Sequence, residues 1–355
     1  MSSMEKNMQP KNSSTYSERT KQIHVRPKTA MMTMSIGMAA IVFTLGVSIA
    51  VGAADINLVT VWNAIFHFDA NMVQHDVIRE LRIPRSLADI VVGASFAVAG
   101  AVMQGMTRNP LADSGLLGIN AGAVFMISIC FAFLPQASYS TLMMFSFIGA
   151  AFATTLVYGS SALSKGGATP VRLVLAGAAV TALLTALSEG IAIQFRLSQD
   201  IAYWFAAGVA GVNMDQLTMV VPWVIVAFVG AMMLSRSITL LSMGDEVATG
   251  LGQRTGMIKL LGSIIVLLLA GTAVSLAGPI MFVGLVIPHI ARFIVGVDYR
   301  WIIPCSAILG ALLMLFADIG ARMINPPYET PISALFALIG VPFFLFVARK
   351  QRREL

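Results

Sequence analysis

The chain has 355 residues, of which 57% are hydrophobic and only 11% charged, with a mean hydropathy of +0.82. Soluble domains carry roughly 25% charged residues, the apolar excess excludes a disordered chain, and two cysteines exclude a disulfide scaffold. What remains is a polytopic membrane protein, in which the net charge of +6 is first a question of sidedness.

Residues 1–28 are polar, without apolar periodicity, and predict a disordered cytosolic tail. A bilayer-crossing helix needs about 20 apolar residues, and the stretches between charges predict ten. The first is Ala30–Gly52 and the second Pro84–Thr107. Ser114–Ser164 carries no charge and is too long for one helix; Leu134-Pro135-Gln136-Ala137-Ser138 divides it into a third and a fourth span. The fifth is Val171–Phe195 and the sixth Gln216–Ser235. Leu260–Ala291 breaks at Ala277-Gly278-Pro279 into a seventh and a short eighth span, followed by Trp301–Ala321 and Pro331–Ala348. The expected organisation is a transmembrane domain over 29–349, with a cytosolic loop at 236–259, and a cytosolic tail over 350–355. Val51-Gly52-Ala53-Ala54 imitates a signal-peptidase site, but the apolar stretch before it is longer than a signal core and no cleavage is expected.

An even number of spans puts both termini on one side. With the termini inside, 18 of the 23 Lys and Arg residues lie inside, and only Arg79, Arg82, Arg85, Arg196 and Arg322 lie outside. Acidic residues divide evenly between the two sides, so the positive-inside rule predicts cytosolic termini. Anionic lipid is then the natural partner of the basic excess, not nucleic acid. Small residues recur along the spans (Gly93, Gly100, Gly122, Gly149 among them) and predict closely packed helices.

Reactive groups are few. His24, His67, His75 and His289 show no metal-ligand spacing, and no Walker A pattern occurs, so no cofactor or metal is expected on this chain. Cys130 and Cys305 fall near opposite faces and are expected as free, buried thiols. Intramembrane acids are functional candidates by default, but Asp89 follows Arg85 by one turn and Arg322 follows Asp318 by one turn. Structural ion pairs within each helix are therefore expected at Asp89 and Asp318. Glu189 has no sequence partner and is placed toward the bundle interior.

Two runs predict irregular backbone at membrane depth. One is Gln104 to Gly118, interrupted by Pro110 and Gly115; the other is Gly278 to His289, with Pro279, Gly284 and Pro288. Such backbone survives in a membrane only where protein or a water-filled cavity satisfies it. In the inner loop, Ser242 to Gly252 reads as a short helix opened by Asp245 and Glu246 and closed by glycine, with Val247 and Leu251 on one apolar face. It is too short to fold alone, and its face predicts a partner.

At these residues the chain resembles the FecCD family, the membrane permeases of binding-protein-dependent ABC importers for iron chelates and cobalamin. The matching segments are Leu81-Arg82-Ile83-Pro84-Arg85, Gly93-Ala94 through Gln104, Arg108-Asn109-Pro110-Leu111-Ala112, and Gly118 to Gly122-Ala123. They continue with Leu241 to Glu246, Ala248, Leu251-Gly252, Gly284 through Ile290 with Arg292, Ala317-Asp318 with Arg322, and Glu329-Thr330-Pro331. The resemblance implies an all-α, ten-helix fold like that of the cobalamin importer (a type II ABC importer). It also implies a second permease subunit, identical or paralogous, two cytosolic ATPases holding ATP and magnesium, and an extracytoplasmic substrate-binding protein. By that resemblance Arg82, Arg85 and Arg322 dock the binding protein. Leu241, Gly244, Asp245, Glu246, Ala248, Leu251 and Gly252 couple to the ATPase. Gln104, Asn109, Pro110 and Leu111, with Thr169, Pro170 and Val171, belong to the pathway and its gate, although the family often has small hydroxyl residues where this chain has Pro170 and Val171.

The resulting expectation is a transport subunit, not an enzyme, that moves an iron(III)–siderophore complex, with haem or cobalamin as alternative cargo. Specificity is expected mainly in the binding protein, since a pathway must bind weakly enough to release. An ion-coupled secondary transporter would need an internal repeat and freely titrating buried acids. An intramembrane enzyme would rest on Asp89 and Asp318 alone.

Overall fold

A computed structural model describes residues 26–51, 56–162, 170–326 and 328–351. The fold is all-α. Its apolar helices are α1 (Pro27–Ala50), α2 (Ile83–Thr107), α3 (Ile119–Phe133), α4 (Tyr139–Ala162), α5 (Pro170–Gln194), α6 (Met214–Ser242), α7 (Thr255–Ala277), α8 (Val283–Val295), α9 (Tyr299–Ile324) and α10 (Ile332–Gln351). Seven are long and apolar enough to cross a membrane, and three, α3, α8 and α10, have shorter apolar stretches. The expected breaks at Pro135 and at Gly278-Pro279 are where the chain turns. The expected tail lies mostly outside the described residues.

Helix α2 is the axis of the bundle. It packs against α6, α7, α8 and α9, and its apolar window is 78% buried against 22% for α1 and for α6. Backbones approach closely where α2 meets its neighbours. A Cβ at Gly93 would collide with the Gly310 carbonyl of α9, and one at Gly100 with the Gly284 carbonyl of α8. Gly122 and Gly149 bring α3 onto α4 in the same way. Apolar lipid gives helices no hydrophobic reason to associate, so this close packing supplies the attraction.

Three features differ from the sequence expectation. Helix α6 runs seven residues past Ser235, and the inner loop shrinks to the segment between Ser242 and Thr255. A single charge such as Arg236 near a span's end reaches outward along its own stem and does not stop the helix. The expected outer loop before α2 contains a helix at Leu58–Phe66, followed by Val73–Asp76 and a π-helical turn, Val77–Arg82, that runs directly into α2. Val61 and Ala64 are buried with Ile49, Ile56 and Ile78, while Val59, Trp62 and Phe66 are exposed. This amphipathic arrangement suits a membrane–water boundary. The third is a helix at Ser198–Ala207 between α5 and α6.

Candidate functional site

The two irregular runs meet. Helix α8 has 13 residues and α3 has 15, so each rises only ~20 Å, short of the ~30 Å hydrocarbon core. The connection from α2 to α3 climbs toward the interior, and the segment between α7 and α8 enters from the other end. They touch at Asp113, whose carboxylate accepts from its neighbour's backbone, Ser114 N, at 2.7 Å and from the Phe282 backbone N–H. Phe282 takes a left-handed conformation, φ 72°, rare for a side chain of its size. A Cβ at Gly284 would strike the Asp113 carboxylate, so glycine is required for this contact.

Beside this junction lies a cavity of about 650 Å³. Its walls come from α3 (Asn120, Val124, Ser128), α5, the helix Ser198–Ala207 (Ile201, Phe205), the junction itself (Leu111, Asp113, Gly115, Pro279, Met281, Phe282), and α8 and α10 (Leu285, Val341, Phe344). Helix α5 contributes Thr181, Thr185, Ser188, Glu189 and Ala192. Their spacing of i, i+4, i+7, i+8 and i+11 is one face of a helix. That polar stripe on an apolar span was readable in the sequence, and sequence reasoning singled out only Glu189. Asn120 also lines the cavity; its side chain is 8% exposed and its Oδ1 has no hydrogen-bond partner.

The residues expected at the gate separate. Leu111 lines the cavity. Asn109 closes the turn before it, its Oδ1 accepting from Leu111 N at 3.0 Å, and neither it nor Pro110 is among the lining residues. Gln104 does not line the cavity: it is 2% exposed and ties α2 to α8. Pro288 lacks the N–H that would serve the Gly284 carbonyl one turn earlier, and Gln104 Nε2 donates to Gly284 O and Leu285 O, both at 3.2 Å. Arg292 in turn donates to Gln104 Oε1 at 2.9 Å. Thr169 lies outside the described residues, and α5 begins at Pro170, the position where a missing N–H costs nothing.

The three outer arginines are committed within the chain. Arg82 is 8% exposed and donates to the carbonyls of Ile49 and Ala50, each at 2.7 Å. Arg322 is 9% exposed and donates to Ser48 O at 3.0 Å and Val51 O at 2.9 Å. Arg85 pairs with Asp318 at 2.7 Å and with Glu329 at 2.6 Å. Arg82 and Arg322, expected at the docking surface, are thus tied to the end of α1, and Arg85 to Asp318 and Glu329. The expected Arg85–Asp89 pair is also replaced. Close packing of α2 on α9 brings Asp318 to Arg85, while both Asp89 oxygens are buried without a hydrogen-bond partner. Asp318 does pair with Arg322, at 2.9 Å.

At the basic end of the bundle, Asp245–Gly250 forms the short helix read from the sequence. Gly244, at φ 139°, makes the turn into it. Leu241 and Ala248 are fully buried and anchor the segment. Met243, Val247 and Leu251 are exposed at 50%, 44% and 63%, with Glu246 and Gly252 exposed beside them. Asp245 links two long helices: it pairs with Arg108, at the end of α2, at 3.1 Å, and with Lys259, in the first turns of α7, at 3.0 Å. Nearby, Asp298 opens α9, accepting from Arg300 N at 2.9 Å. Burial pushes its carboxyl up, but the hydrogen bonds and charge of Arg300 outweigh that and hold it below the usual carboxylate range. Cys130 and Cys305 are free and buried, and no cluster of metal-ligating side chains occurs among the described residues.

The FecCD transport family matches residues 40–350 of this chain. The iron(3+)-hydroxamate import system permease protein FhuB of Bacillus subtilis is 51% identical over 92% of this chain and 85% of its own length. The iron-uptake system permease protein FeuB of the same organism is 41% identical over 89% of this chain and 94% of its own. A solved structure described as an inward-facing conformation of a metal-chelate type ABC transporter superposes with a TM-score of 0.76 at 28% identity, covering 91% of this chain and 99% of that one.

Proposed function

The chain belongs to the FecCD transport family, and from that premise we propose that it is the permease of an ABC importer carrying iron(III)–siderophore complexes across the bacterial cytoplasmic membrane. The observation that carries the reading is the cavity at the junction of two irregular segments inside a ten-helix bundle. The cargo follows from similarity to a hydroxamate permease and an iron-uptake permease. Both termini face the cytosol in this reading, with the basic end of the bundle.

In this reading the chain makes no covalent bond and leaves nucleotide binding to its partners. Two cytosolic ATPases supply the energy, each seated on a short helix such as Asp245–Gly250, where Met243, Val247 and Leu251 present an apolar face. A second permease, identical or paralogous, completes the pathway, and an extracytoplasmic binding protein delivers the chelate. Asp245 gives the coupling a physical route. Displacing the short helix pulls on Arg108 and Lys259, hence on the end of α2 and the start of α7. Helix α7 leads to the Gly278–Phe282 hinge at the cavity, and α2 holds α8 through Gln104.

Replacing Val247 and Leu251 together by aspartate tests this. The exposed pair contributes little to the fold, so the variant should reach the membrane at normal levels. It should lose the copurifying ATPase and at least about 90% of iron–chelate uptake, as expected when apolar anchors of an interface are replaced by charge. Uptake that persists without any ATPase would sink the reading.

A further inference from the structure

The cavity wall is asymmetric in charge. Among its described lining residues Asp113 and Glu189 are acidic, and none is Lys, Arg or His. The rest of the wall is apolar apart from a few hydroxyls and the Asn120 amide, whose Oδ1 is buried and unpartnered at the cavity. Asp113 is held in place by two backbone N–H groups, and Glu189 is exposed on the cavity-facing stripe of α5.

Resting on the permease reading above, we propose that this cavity filters cargo by charge, passing neutral and cationic iron chelates and rejecting anionic ones. In a space walled by apolar side chains, fixed charges act over longer distances than in water. Two carboxylates without a compensating cation therefore repel an anionic complex, much as rings of acids select cations in channels. The Asn120 amide both donates and accepts, and so fits the amide-rich periphery of a hydroxamate chelate. A free carboxylate on the chelate offers it only acceptors, and the acids repel that group. Selection is thereby made a second time after the binding protein, at the step of passage.

The test uses one iron complex in three charge states: ferrioxamine B, a cation; its N-acetyl derivative, which is neutral; and its N-succinyl derivative, an anion. Uptake is measured into proteoliposomes holding the assembled transporter, and is divided by the occupancy of the soluble binding protein for each chelate. The wild type should carry the cationic and neutral forms about tenfold faster than the anionic one. Glu189→Gln should narrow that ratio and Glu189→Lys, whose charge offsets that of Asp113, should bring it close to one, with the complex eluting intact from a sizing column in both cases. Equal normalised rates for the three chelates, or a ratio unmoved by both substitutions, overturns the filter and leaves the permease reading standing. A wild-type complex that moves none of the three overturns the permease reading and the filter with it.

Discussion

A helix leaves its last carbonyls without intrahelical donors, and at the end of α1 those of Ser48, Ile49, Ala50 and Val51 are served by Arg82 and Arg322. Two positive charges at a helix C-terminus also oppose its dipole favourably. Asp318 then supplies the counter-charge, held between Arg322 and Arg85 with no exposed surface of its own. Removing one partner of a buried pair costs far more than the pair contributes, because the remaining charge is stranded. Asp318→Ala should therefore lower stability by about 3–5 kcal/mol, read as a large fall in unfolding temperature in detergent. Glu329→Gln removes the other partner of Arg85, but Glu329 is 47% exposed. Its loss should stay within about 1 kcal/mol. Equal effects from the two substitutions would refute this ranking.

At the scale of elements, α2 is fixed by what its glycines permit. A Cβ at Gly93 meets the backbone of α9, which cannot step aside as a flexible side chain can. Gly93→Ala should cost about 1–3 kcal/mol through forced separation of the helices. Gly46 of α1 has open space around it, so Gly46→Ala should be neutral or stabilise by up to about 1 kcal/mol. Thermal unfolding of the two variants side by side checks the contrast. The long helices were legible because hydropathy sums over 20 residues, and their breaks because proline and glycine punctuate. The helices Leu58–Phe66 and Ser198–Ala207 were missed, as each is too short for a span and gains its order from one apolar face packed on its neighbours. Pairing was legible only within a helix. The i, i+4 bond from Arg322 to Asp318 could be read, whereas Arg85 crosses to α9 for a partner 233 residues away.

For the whole molecule, the short helix Asp245–Gly250 was legible because charge and glycine interrupt an apolar chain there. The cavity was legible only in fragments, since its walls come from five separate stretches of sequence that the fold brings together. Charge makes the remaining distinction, between the two ends of the bundle. Arg108, Arg254, Lys259 and Arg300 gather with the short helix Asp245–Gly250 at one end, whereas Arg82, Arg85 and Arg322 at the other are folded inward onto carbonyls and carboxylates. Exposed lysine and arginine resist translocation, so the proposed orientation puts the first end in the cytosol. Cysteine labelling reads this directly, because Cys130 and Cys305 are buried and the unsubstituted chain should stay silent to a membrane-impermeant maleimide. Glu246→Cys and Asp200→Cys each place a thiol at an exposed position, on the short helix and at the start of Ser198–Ala207 respectively. In spheroplasts, position 200 should label at once and position 246 only after the membrane is opened; the reverse order would invert the bundle and remove the ATPases from its basic end.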